Sequence, residues 1–375
     1  MNTILLVTHT ESYVFRTIVE SITIHSRKQG WALHVITAAD AAEAKRISKA
    51  WNADGCIVYA ASPSGIDCGK VRWPMPTVLI SPSGKCPGYP FTAHDSCVTG
   101  RIAARELAKL DMDSFAFASE TPHPSWAEKR LATFRDAIRE YGRDVNIFPG
   151  GNLKAWLRTL PKRCGIFAAN DRMAEKIVAT AKSIGIAIPD DMTVLGCDDD
   201  TRICEHAEIS ISSIRPDYVQ CAMLAANMLS SVMEGKKTET CRMFGDVAVI
   251  HRASTRVTAY KSPDVAAALE YIRLNAFSGI SASDVLSVMK GSRRSAENMF
   301  RATTGHSILE EIQTVRLNEV KRLLANPLTK IGAIAAQTGY RSENFLTRLF
   351  RRETGMTPSQ WRKSRQTSAQ DLPTT

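Results

Sequence analysis

Hydrophobic and polar positions follow two different patterns along this chain of 375 residues. Over the first 260 residues, short apolar runs such as TILLVT, CGIFAA and MTVLGC alternate with segments of helix length. Strands separated by helices in this way are typical of parallel β-α-β units. The pattern therefore predicts an α/β domain with parallel sheets over residues 1–260.

The strand pattern ends at the segment KSPD, residues 261–264, which we interpret as a linker because serine and proline interrupt regular structure there. Only helical segments follow it. Their predicted bounds are about 265–276, 282–289, 293–303, 308–325, 331–338 and 343–354, with a short helix after Pro358. We predict an all-α domain over residues 265–365 and a disordered tail over residues 366–375.

One pattern occurs twice in the helical domain, fifty residues apart. Ser342 and Gly355 of the second copy align with Ser292 and Gly305 of the first. Each copy has a short apolar helix, a tight turn, a serine at the N-cap and a longer helix that ends at glycine, which is the pattern of a helix-turn-helix. With the helix 308–325 as a rigid connection, two recognition helices would lie about 34 Å apart, one turn of DNA.

The exposed positions of the two longer helices carry side chains suited to DNA. Arginine pairs with guanine, asparagine with adenine, glutamate accepts from cytosine, and further arginines reach phosphates. The candidates for base contacts are Arg293, Arg294, Glu297, Asn298, Glu343, Asn344, Thr347 and Arg348. The candidates for phosphate contacts are Arg301, Arg351 and Arg352. A plain helical bundle is the alternative, and the repeat and the density of arginine argue against it.

Charge supports a polyanionic partner for the helical domain. The whole chain has a formal net charge of +10. Residues 261–375 hold 17 Lys and Arg against 10 Asp and Glu, so +7 of that charge lies in less than a third of the chain. A basic module of this kind is typical of nucleic-acid binding, although a solvated basic surface has the same composition.

Polar side chains follow the predicted strands of the first domain, where parallel sheets bind ligands. Carboxylates, an amide and a guanidinium suit the hydroxyls of a sugar, and a tryptophan suits its C–H face. The candidates are Asp95, Trp126, Arg130, Asn170, Asp171 and Asp198. Each acidic or amide residue alone fits a helix N-cap. Their repetition at successive strand ends favours a polyhydroxylated ligand.

Other function classes lack their motifs. The nine cysteines are odd in number and include no C-x-x-C pair, so we expect reduced thiols, no metal ion and no cofactor. The chain also contains no G-x-S-x-G, no P-loop and no G-x-G-x-x-G after a strand, which argues against an enzyme. No apolar run approaches the roughly 20 residues that span a bilayer, and the N-terminus lacks the basic region of a signal peptide. We expect a cytoplasmic protein.

The helical domain resembles the AraC/XylS-type DNA-binding domain over about residues 265–363. The most specific segment is IAAQTGYRSENFLTRLFRRETGMTPSQWR, which has the family's I-A, G-Y, S, F, R, F, G, T-P and W-R positions. The first copy departs from the family pattern, with Ala296 where leucine is usual and Met299 where arginine is common. The resemblance implies that bases are read from the two longer helices.

The first 260 residues resemble the LacI/GalR-type effector domain in HDSCVTGRIAARELAKL, WAEKRLATF, FAANDRMAEKIV and IPDDMTVLGCDDD. This resemblance implies a two-lobed periplasmic-binding-protein-like fold. It also implies that the effector contacts Asp95, Arg130, Asn170 and Asp198, with Asp171 and Trp126 as further contacts.

The combination of the two domains resembles the XylR-like family of transcription regulators. This resemblance implies a homodimer that binds promoter or operator DNA as double-stranded DNA and activates sugar catabolic genes, with RNA polymerase as a further contact. It implies a sugar effector, D-xylose or a related pentose. The sequence leaves two alternatives: the same regulator with a non-sugar or lost effector, and an α/β enzyme with an appended nucleic-acid-binding domain.

Overall fold

A computed structural model describes residues 1–8, 12–38, 40–60, 72–81, 88–110, 112–120, 124–245, 247–255, 263–324 and 329–367. The chain divides into two compact units, Met1–Val257 and Thr258–Thr375. Residues 261 and 262 of the predicted linker and residues 368–375 of the predicted tail lie outside the described residues. The first helix of the second unit begins at Pro263, and its last helix extends to Thr367.

The described residues of the first unit form two six-stranded sheets. The strands are β1 Thr3–Thr8, β2 Ala32–Thr37, β3 Gly55–Tyr59, β4 Thr77–Ile80, β5 Phe91–His94, β6 Ser114–Ala118, β7 Val145–Ile147, β8 Cys164–Ala168, β9 Met192–Cys197, β10 Ser212–Pro216, β11 Cys241–Phe244 and β12 Val247–Ile250. The first sheet has the order β11-β5-β4-β3-β1-β2 and the second β12-β10-β9-β8-β6-β7. Every described strand pair is parallel except β10 with β12. The predicted parallel α/β fold is confirmed.

Helices cover the faces of both sheets. Their bounds are α1 Tyr13–Gln29, α2 Ala41–Ala50, α3 Ser96–Ala108, α4 Ser125–Glu140, α5 Leu153–Thr159, α6 Asp171–Ser183, α7 Thr201–Cys204 and α8 Tyr218–Met233. Because the central strands are covered on both sides, they are apolar without alternation: all five residues of β3 and all six of β9 are buried. The edge strand β2 is only partly buried.

The two sheets form two lobes, and the described strands show three passages of the chain from one lobe to the other. We call the first sheet with α1, α2 and α8 lobe 1, and the second sheet with α3 to α7 lobe 2. The crossings follow β5, β10 and β11, since β5 and β11 pair in the first sheet while β10 and β12 pair in the second. The ends of these strands therefore meet where the lobes join.

The second unit contains seven α-helices in its described residues. They are α9 Pro263–Asn275, α10 Ala282–Leu286, α11 Arg293–Thr304, α12 Ile308–Leu324, α13 Ile331–Gln337, α14 Glu343–Thr354 and α15 Pro358–Thr367. A short 3-10 helix, Ala276–Ser278, follows α9. The predicted all-α double helix-turn-helix is confirmed, with α10 and α11 as the first copy and α13 and α14 as the second.

One helix of the second unit is shorter than its sequence predicts. The pattern predicts a helix over residues 282–289, whereas α10 ends at Leu286. The Ser287 hydroxyl donates to the carbonyl oxygen of Asp284 at 2.6 Å, and such local bonds compete with helix propagation. Met289 nevertheless packs in one core with residues of α9, α11 and the start of α12. This explains why the apolar pattern continues past the end of the helix.

The two halves of this unit have separate cores that share α12. Ile308 and Ile312, near the start of α12, pack with α9, α10 and α11. Leu317, Val320 and Leu324 from the rest of α12 pack with α13 and α14.

Among the described residues of the whole chain, no helix combines the length and apolar character that a membrane crossing requires.

Candidate effector cleft and DNA-reading helices

Three consecutive aspartates follow β9, and each has different partners. Asp198 and Asp199 have φ angles of 106° and 56°, a left-handed backbone that few side chains other than Asp and Asn adopt. This turn directs Asp198 Oδ1 to the Tyr218 hydroxyl, which donates a hydrogen bond at 2.8 Å. It directs Asp199 into lobe 2, where its two oxygens lie 2.8 Å from Arg252 and 2.7 Å from Arg215. Asp198 is therefore the member of the triplet that meets lobe 1 through Tyr218.

Arg130 on α4 connects several of the predicted effector residues. Its side chain is buried, and Nη1 donates to the carbonyl oxygen of Ala169, the residue before Asn170. Nη2 lies 3.7 Å from Asp198 Oδ1, and the guanidinium carbon lies 4.8 Å from the centre of the Trp126 ring. Nε is buried without a hydrogen-bond partner among the described residues. Arg130 therefore combines a fixed orientation with an unused donor.

The other polar candidates at strand ends act as helix caps. Asp95 precedes α3, and its Oδ1 accepts from the Cys97 amide at 2.9 Å. Asn170 precedes α6, and its Oδ1 accepts from the Met173 amide at 2.9 Å. Both side chains are half-buried. Capping fixes one oxygen of each side chain, which holds the remaining polar atoms at the strand ends.

Asp171 is placed differently from the other candidates. It is 2 % exposed. One oxygen accepts from the Ser213 hydroxyl at 2.6 Å, and the other accepts from the Asp200 amide at 2.8 Å. Burial and the charge of Asp198 raise the pKa of the Asp171 carboxyl well above its usual value. Both oxygens are thus engaged inside lobe 2. Among the described residues, no hydrogen bond or ion pair joins Asp171 to Arg130.

Aromatic side chains gather where the chain crosses between the lobes. His94 ends β5, Tyr218 begins α8 and Phe244 ends β11. The His94 and Phe244 rings are 5.0 Å apart, and the Tyr218 ring is 6.3 Å from Phe244 and 6.5 Å from His94. The three crossings therefore share one aromatic cluster, next to the hydrogen bond between Tyr218 and Asp198.

Burial shifts the protonation of this site. It raises the pKa of the Asp198 carboxyl, while the charge of Arg130 and the hydrogen bond from Tyr218 oppose that shift. Burial, with the charge of Arg130, lowers the pKa of His94 to about 3, so the imidazole is neutral at physiological pH. Burial also raises the pKa of the Tyr218 hydroxyl, which remains a hydrogen-bond donor. The site thus offers a cation, a carboxylate, a phenol and aromatic faces, a combination suited to a neutral polyhydroxylated molecule.

A second polar contact joins the lobes. Arg16 on α1 lies 3.7 Å from Asp200 Oδ2, and the two side chains are 38 % and 10 % exposed. A pair this open to solvent contributes little free energy. It shows that α1 of lobe 1 approaches the aspartate triplet of lobe 2.

The first predicted recognition helix, α11, has a sharply divided surface. Ser292 accepts from the Ser295 amide at 3.3 Å, and Gly305 ends the helix with φ of 83°. Ala296 and Phe300 are buried. The five candidates of this copy are all exposed: Arg293, Arg294, Glu297, Asn298 and Arg301. The smaller Ala296 therefore still occupies a core position.

The second predicted recognition helix, α14, has the same construction. Ser342 accepts from the Phe345 amide at 3.2 Å, and Gly355 ends the helix with φ of 76°. Leu346, Leu349 and Phe350 are buried. The exposed candidates are Glu343, Asn344, Arg348, Arg351 and Arg352, and Thr347 is half-buried.

Comparisons with known proteins agree with both units. A family model described as periplasmic binding proteins and sugar binding domain of LacI family matches residues 2–152, and a periplasmic binding protein-like domain matches residues 104–255. A helix-turn-helix domain matches residues 287–364. The xylose operon regulatory protein of Haemophilus influenzae is 25% identical over 307 residues, covering 77% of this chain and 79% of that protein. That of Escherichia coli strain K12 is 26% identical over 291 residues, 74% of each chain.

A solved structure shares the fold of nearly the whole chain. The structure of the xylose-binding transcription activator xylR has a TM-score of 0.58 and 23% sequence identity, and the match covers 97% of this chain and 98% of that chain. The chain thus combines a periplasmic-binding-protein-like domain with a helix-turn-helix domain, and its relatives are matched over about three quarters of their length. It is similar to the XylR-like transcription regulators.

Sequence analysis assigns no role to several polar and aromatic residues of this chain. Tyr218 and His94 lie at the lobe crossings, and only the arrangement of two sheets brings them to Asp198. Arg16 lies within an amphipathic helix, where an arginine normally indicates a solvated face. Phe345 is 45% exposed on α14, with its ring centre 6.2 Å from that of Tyr340. Its sequence signals are its position outside the apolar face of the helix and its match to the first F of the family pattern S, F, R, F.

Proposed function

We propose that this regulator reads double-stranded DNA with α11 and α14 and that a sugar bound between the lobes of its first unit controls it. The observation that carries the DNA-binding part is the repeated helix that begins at a serine cap and exposes base-reading side chains. In each copy the cap leaves the first turn exposed, so that the side chains next to it can enter the major groove.

The proposed base contacts follow from the hydrogen-bonding groups of these helices. In α14, Arg348 presents two parallel donors for guanine, and Asn344 presents a donor and an acceptor for adenine. In α11, Arg293 and Arg294 are exposed beside the cap. Arg293 also pairs with Glu297 at 3.0 Å, a surface contact weak enough to be exchanged for DNA.

The remaining arginines of the two helices are assigned to phosphates. Arg301 and Arg351 lie two turns from the respective caps and are exposed. Each phosphate contact releases counterions, so these residues would give affinity that decreases with salt. Arg352 faces Glu353 at 2.7 Å, and we assign it the same role with a smaller contribution.

The proposed sugar site is built around Arg130. Nε of Arg130 and the carboxylate of Asp198 supply a donor and an acceptor for neighbouring hydroxyls, and Trp126 supplies a face for C–H groups. Asn170 and Asp95 would complete the site from the strand ends. The names of the two regulatory proteins and of the solved activator make D-xylose, or a related pentose, the first effector to test.

Control of DNA binding would pass through the lobes. Tyr218 and Arg16 of lobe 1 contact Asp198 and Asp200 of lobe 2. A sugar that adds contacts to both lobes favours the arrangement in which they are close. In a homodimer, that change would reset the distance between the DNA-binding units of the two chains. We propose an activator of this kind, acting in the cytoplasm with RNA polymerase as a further partner, and without catalysis.

Ligand-dependent unfolding tests the sugar site. A ligand that binds only the folded state stabilises it by about 2.7 kcal/mol at a concentration of 100 Kd. We expect D-xylose or a related pentose to raise the melting temperature of the purified chain and expect Asp198→Asn to abolish the shift. Asp136→Asn, which removes a carboxylate 70 % exposed on α4, is the matched control. A shift that survives in Asp198→Asn would place the effector elsewhere.

The same assay separates the alternatives. A shift with a metabolite that is not a sugar, abolished by Asp198→Asn, would retain the site and change its ligand. An absence of any shift would leave the DNA-binding proposal unaffected, because that proposal rests on the second unit. Conversion of a sugar or sugar phosphate to product would support an enzyme.

A further inference from the structure

The midpoint of α12 carries a side chain that contacts both halves of the DNA-binding unit. Arg316 Nε donates to the carbonyl oxygen of Ala276 at 2.7 Å, and Nη2 donates to that of Ile280 at 2.9 Å. Both carbonyls belong to the turn between α9 and α10, in the first half. The guanidinium carbon also lies 5.8 Å from the centre of the Tyr340 ring, in the second half. Arg316 therefore binds the first half while it stacks on the second.

A second contact lies beside the first. Gly339, in the turn of the second helix-turn-helix, has φ of 73°. A Cβ at this position would lie 2.9 Å from the carbonyl oxygens of both Ala276 and Phe277, and 3.1 Å from the Gly279 amide nitrogen. The turn of the second copy is thus packed backbone against backbone on the turn 276–279. Only glycine fits without movement of one turn against the other.

These contacts lie at the midpoint of α12, between the two cores that the helix joins. Ile312 belongs to the core of the first half and Leu317 to the core of the second, so that Arg316 lies between the two cores. A helix that is shared by two small cores can bend or rotate at its midpoint, whereas a second connection beside the helix prevents this. We call the contacts of Arg316, Gly339 and Tyr340 with the turn 276–280 the junction.

We propose that the junction fixes the distance and rotation between α11 and α14 and thereby determines which spacing between two DNA segments the regulator accepts. The inference rests on the proposed reading of DNA by both helices. Arg316 and Gly339 are positioning residues in this proposal: neither contacts DNA, and each acts through the placement of the recognition helices.

A change in DNA spacing measures the role of the junction directly. Insertion of two base pairs between the two segments rotates one segment by about 70° and moves it by about 7 Å relative to the other. A rigid pair of helices then loses the base contacts of one helix, which lowers affinity by at least ~10-fold. A pair that can reorient retains part of those contacts.

The experiment compares two duplexes for each protein variant. The first is a duplex selected by the wild-type chain from a random library, and the second is the same duplex with two base pairs inserted between its protected segments. The variants are Arg316→Gln and Gly339→Ala. The matched control is Arg362→Gln: Arg362 also donates to two carbonyl oxygens, of Leu324 at 3.3 Å and Thr329 at 2.7 Å, but binds within the second half only.

We expect the inserted duplex to bind at least ~10-fold more weakly than the original one for wild type and Arg362→Gln, and less than ~3-fold more weakly for Arg316→Gln and Gly339→Ala. The proposal is overturned if, in both junction variants, the insertion weakens binding by the same factor as in wild type. Melting curves identify loss of folding. If Arg316→Gln does not fold, Arg316→Lys, which keeps the charge but cannot donate from a planar fork to both carbonyls, decides in the same way.

The two proposals fail in different ways. If the wild-type chain selects no duplex, the proposed reading of DNA is wrong, and the junction then has no spacing to determine. The other case is that the wild-type chain selects a duplex and the ratio of affinities for the original and the inserted duplex is the same for wild type and all three variants. The proposed reading of DNA then stands, and only the inference about the junction is wrong.

Discussion

Replacement of Tyr218 by phenylalanine tests the contact between the lobes with the loss of a single oxygen atom. The hydroxyl donates to Asp198 Oδ1 at 2.8 Å, and the ring remains beside His94 and Phe244 in the variant. Tyr218 belongs to α8 of lobe 1, whereas Asp198 follows β9 of lobe 2. The substitution therefore weakens the attachment of one lobe to the other without opening a cavity.

The size of the effect follows from the charge of the acceptor. A hydrogen bond to a charged group contributes about 1.5–3 kcal/mol, against about 0.5–1.5 kcal/mol for a bond between neutral groups. Asp198 keeps Arg130 at 3.7 Å in the variant, and both Tyr218 and Asp198 are only half-buried. We therefore expect the lower end, a loss of about 1.5 kcal/mol in the free energy of unfolding at pH 7.

The loss should become smaller at low pH. Burial raises the pKa of Asp198 in the folded chain above its usual value of 3.8, so that the folded state binds this proton more tightly than the unfolded state. The free energy of unfolding then gains a contribution as the pH falls from the raised pKa to below 3.8. Tyr218→Phe removes a hydrogen bond that favours the charged carboxylate, which raises this pKa further and enlarges the gain. The difference in the free energy of unfolding between the variant and wild type should therefore be smaller near pH 4 than at pH 7.

Urea unfolding followed by tryptophan fluorescence measures this difference in the first unit, because that unit contains every tryptophan except Trp361. Tyr141→Phe is the control, since Tyr141 is 55% exposed at the end of α4. A Tyr218→Phe chain as stable as the control at pH 7, or a loss that grows towards pH 4, would refute the assignment of Tyr218 as a donor to a charged Asp198.

Three further predictions concern the buried ion pair and the recognition helices. Asp199→Ala removes the acidic partner of Arg215 and one of the two acidic partners of Arg252, which keeps Glu205 at 2.7 Å. It should lower the free energy of unfolding by about 1–3 kcal/mol in the same urea assay, because buried donors lose an acceptor. An Asp199→Ala chain as stable as wild type would contradict this. Arg348→Ala should weaken binding to a selected duplex by about 10–100-fold in fluorescence anisotropy, as loss of a bidentate base contact requires. Phe345 should contact a thymine methyl group: one dT→dU substitution should weaken wild-type binding about 3–5-fold and leave Phe345→Ala unaffected. A scan in which every dU has equal effects on both proteins would contradict that contact.

Sequence analysis predicts the folds of both units because their patterns are local. The serine caps and terminal glycines of α11 and α14 determine where these helices begin and end, and the two helices lie within one residue of their predicted bounds. The apolar runs of buried strands are equally local. The end of α10 was predicted less well, because a side-chain hydrogen bond at Ser287 decides it.

The candidate sites are predicted in part. Arg130, Trp126 and Asp198 come together as expected from their positions after strands. The sequence does not reveal that Asp171 has both oxygens engaged inside lobe 2, because their donors, the Ser213 hydroxyl and the Asp200 amide, are distant in the chain. It does not reveal Tyr218 either, since its place beside Asp198 depends on three crossings between two sheets. Residues whose role depends on a long-range contact carry no local signal.

Selection of DNA by the full chain tests the central claim most directly. The wild-type protein is incubated with a random duplex library, and the enriched sequences are measured in competition with scrambled duplexes at two salt concentrations. The account predicts one enriched motif with two constrained segments about one helical turn apart, bound at least ~10³-fold more tightly than scrambled DNA. Binding that decreases with salt but shows no enriched motif would contradict sequence-specific reading by α11 and α14.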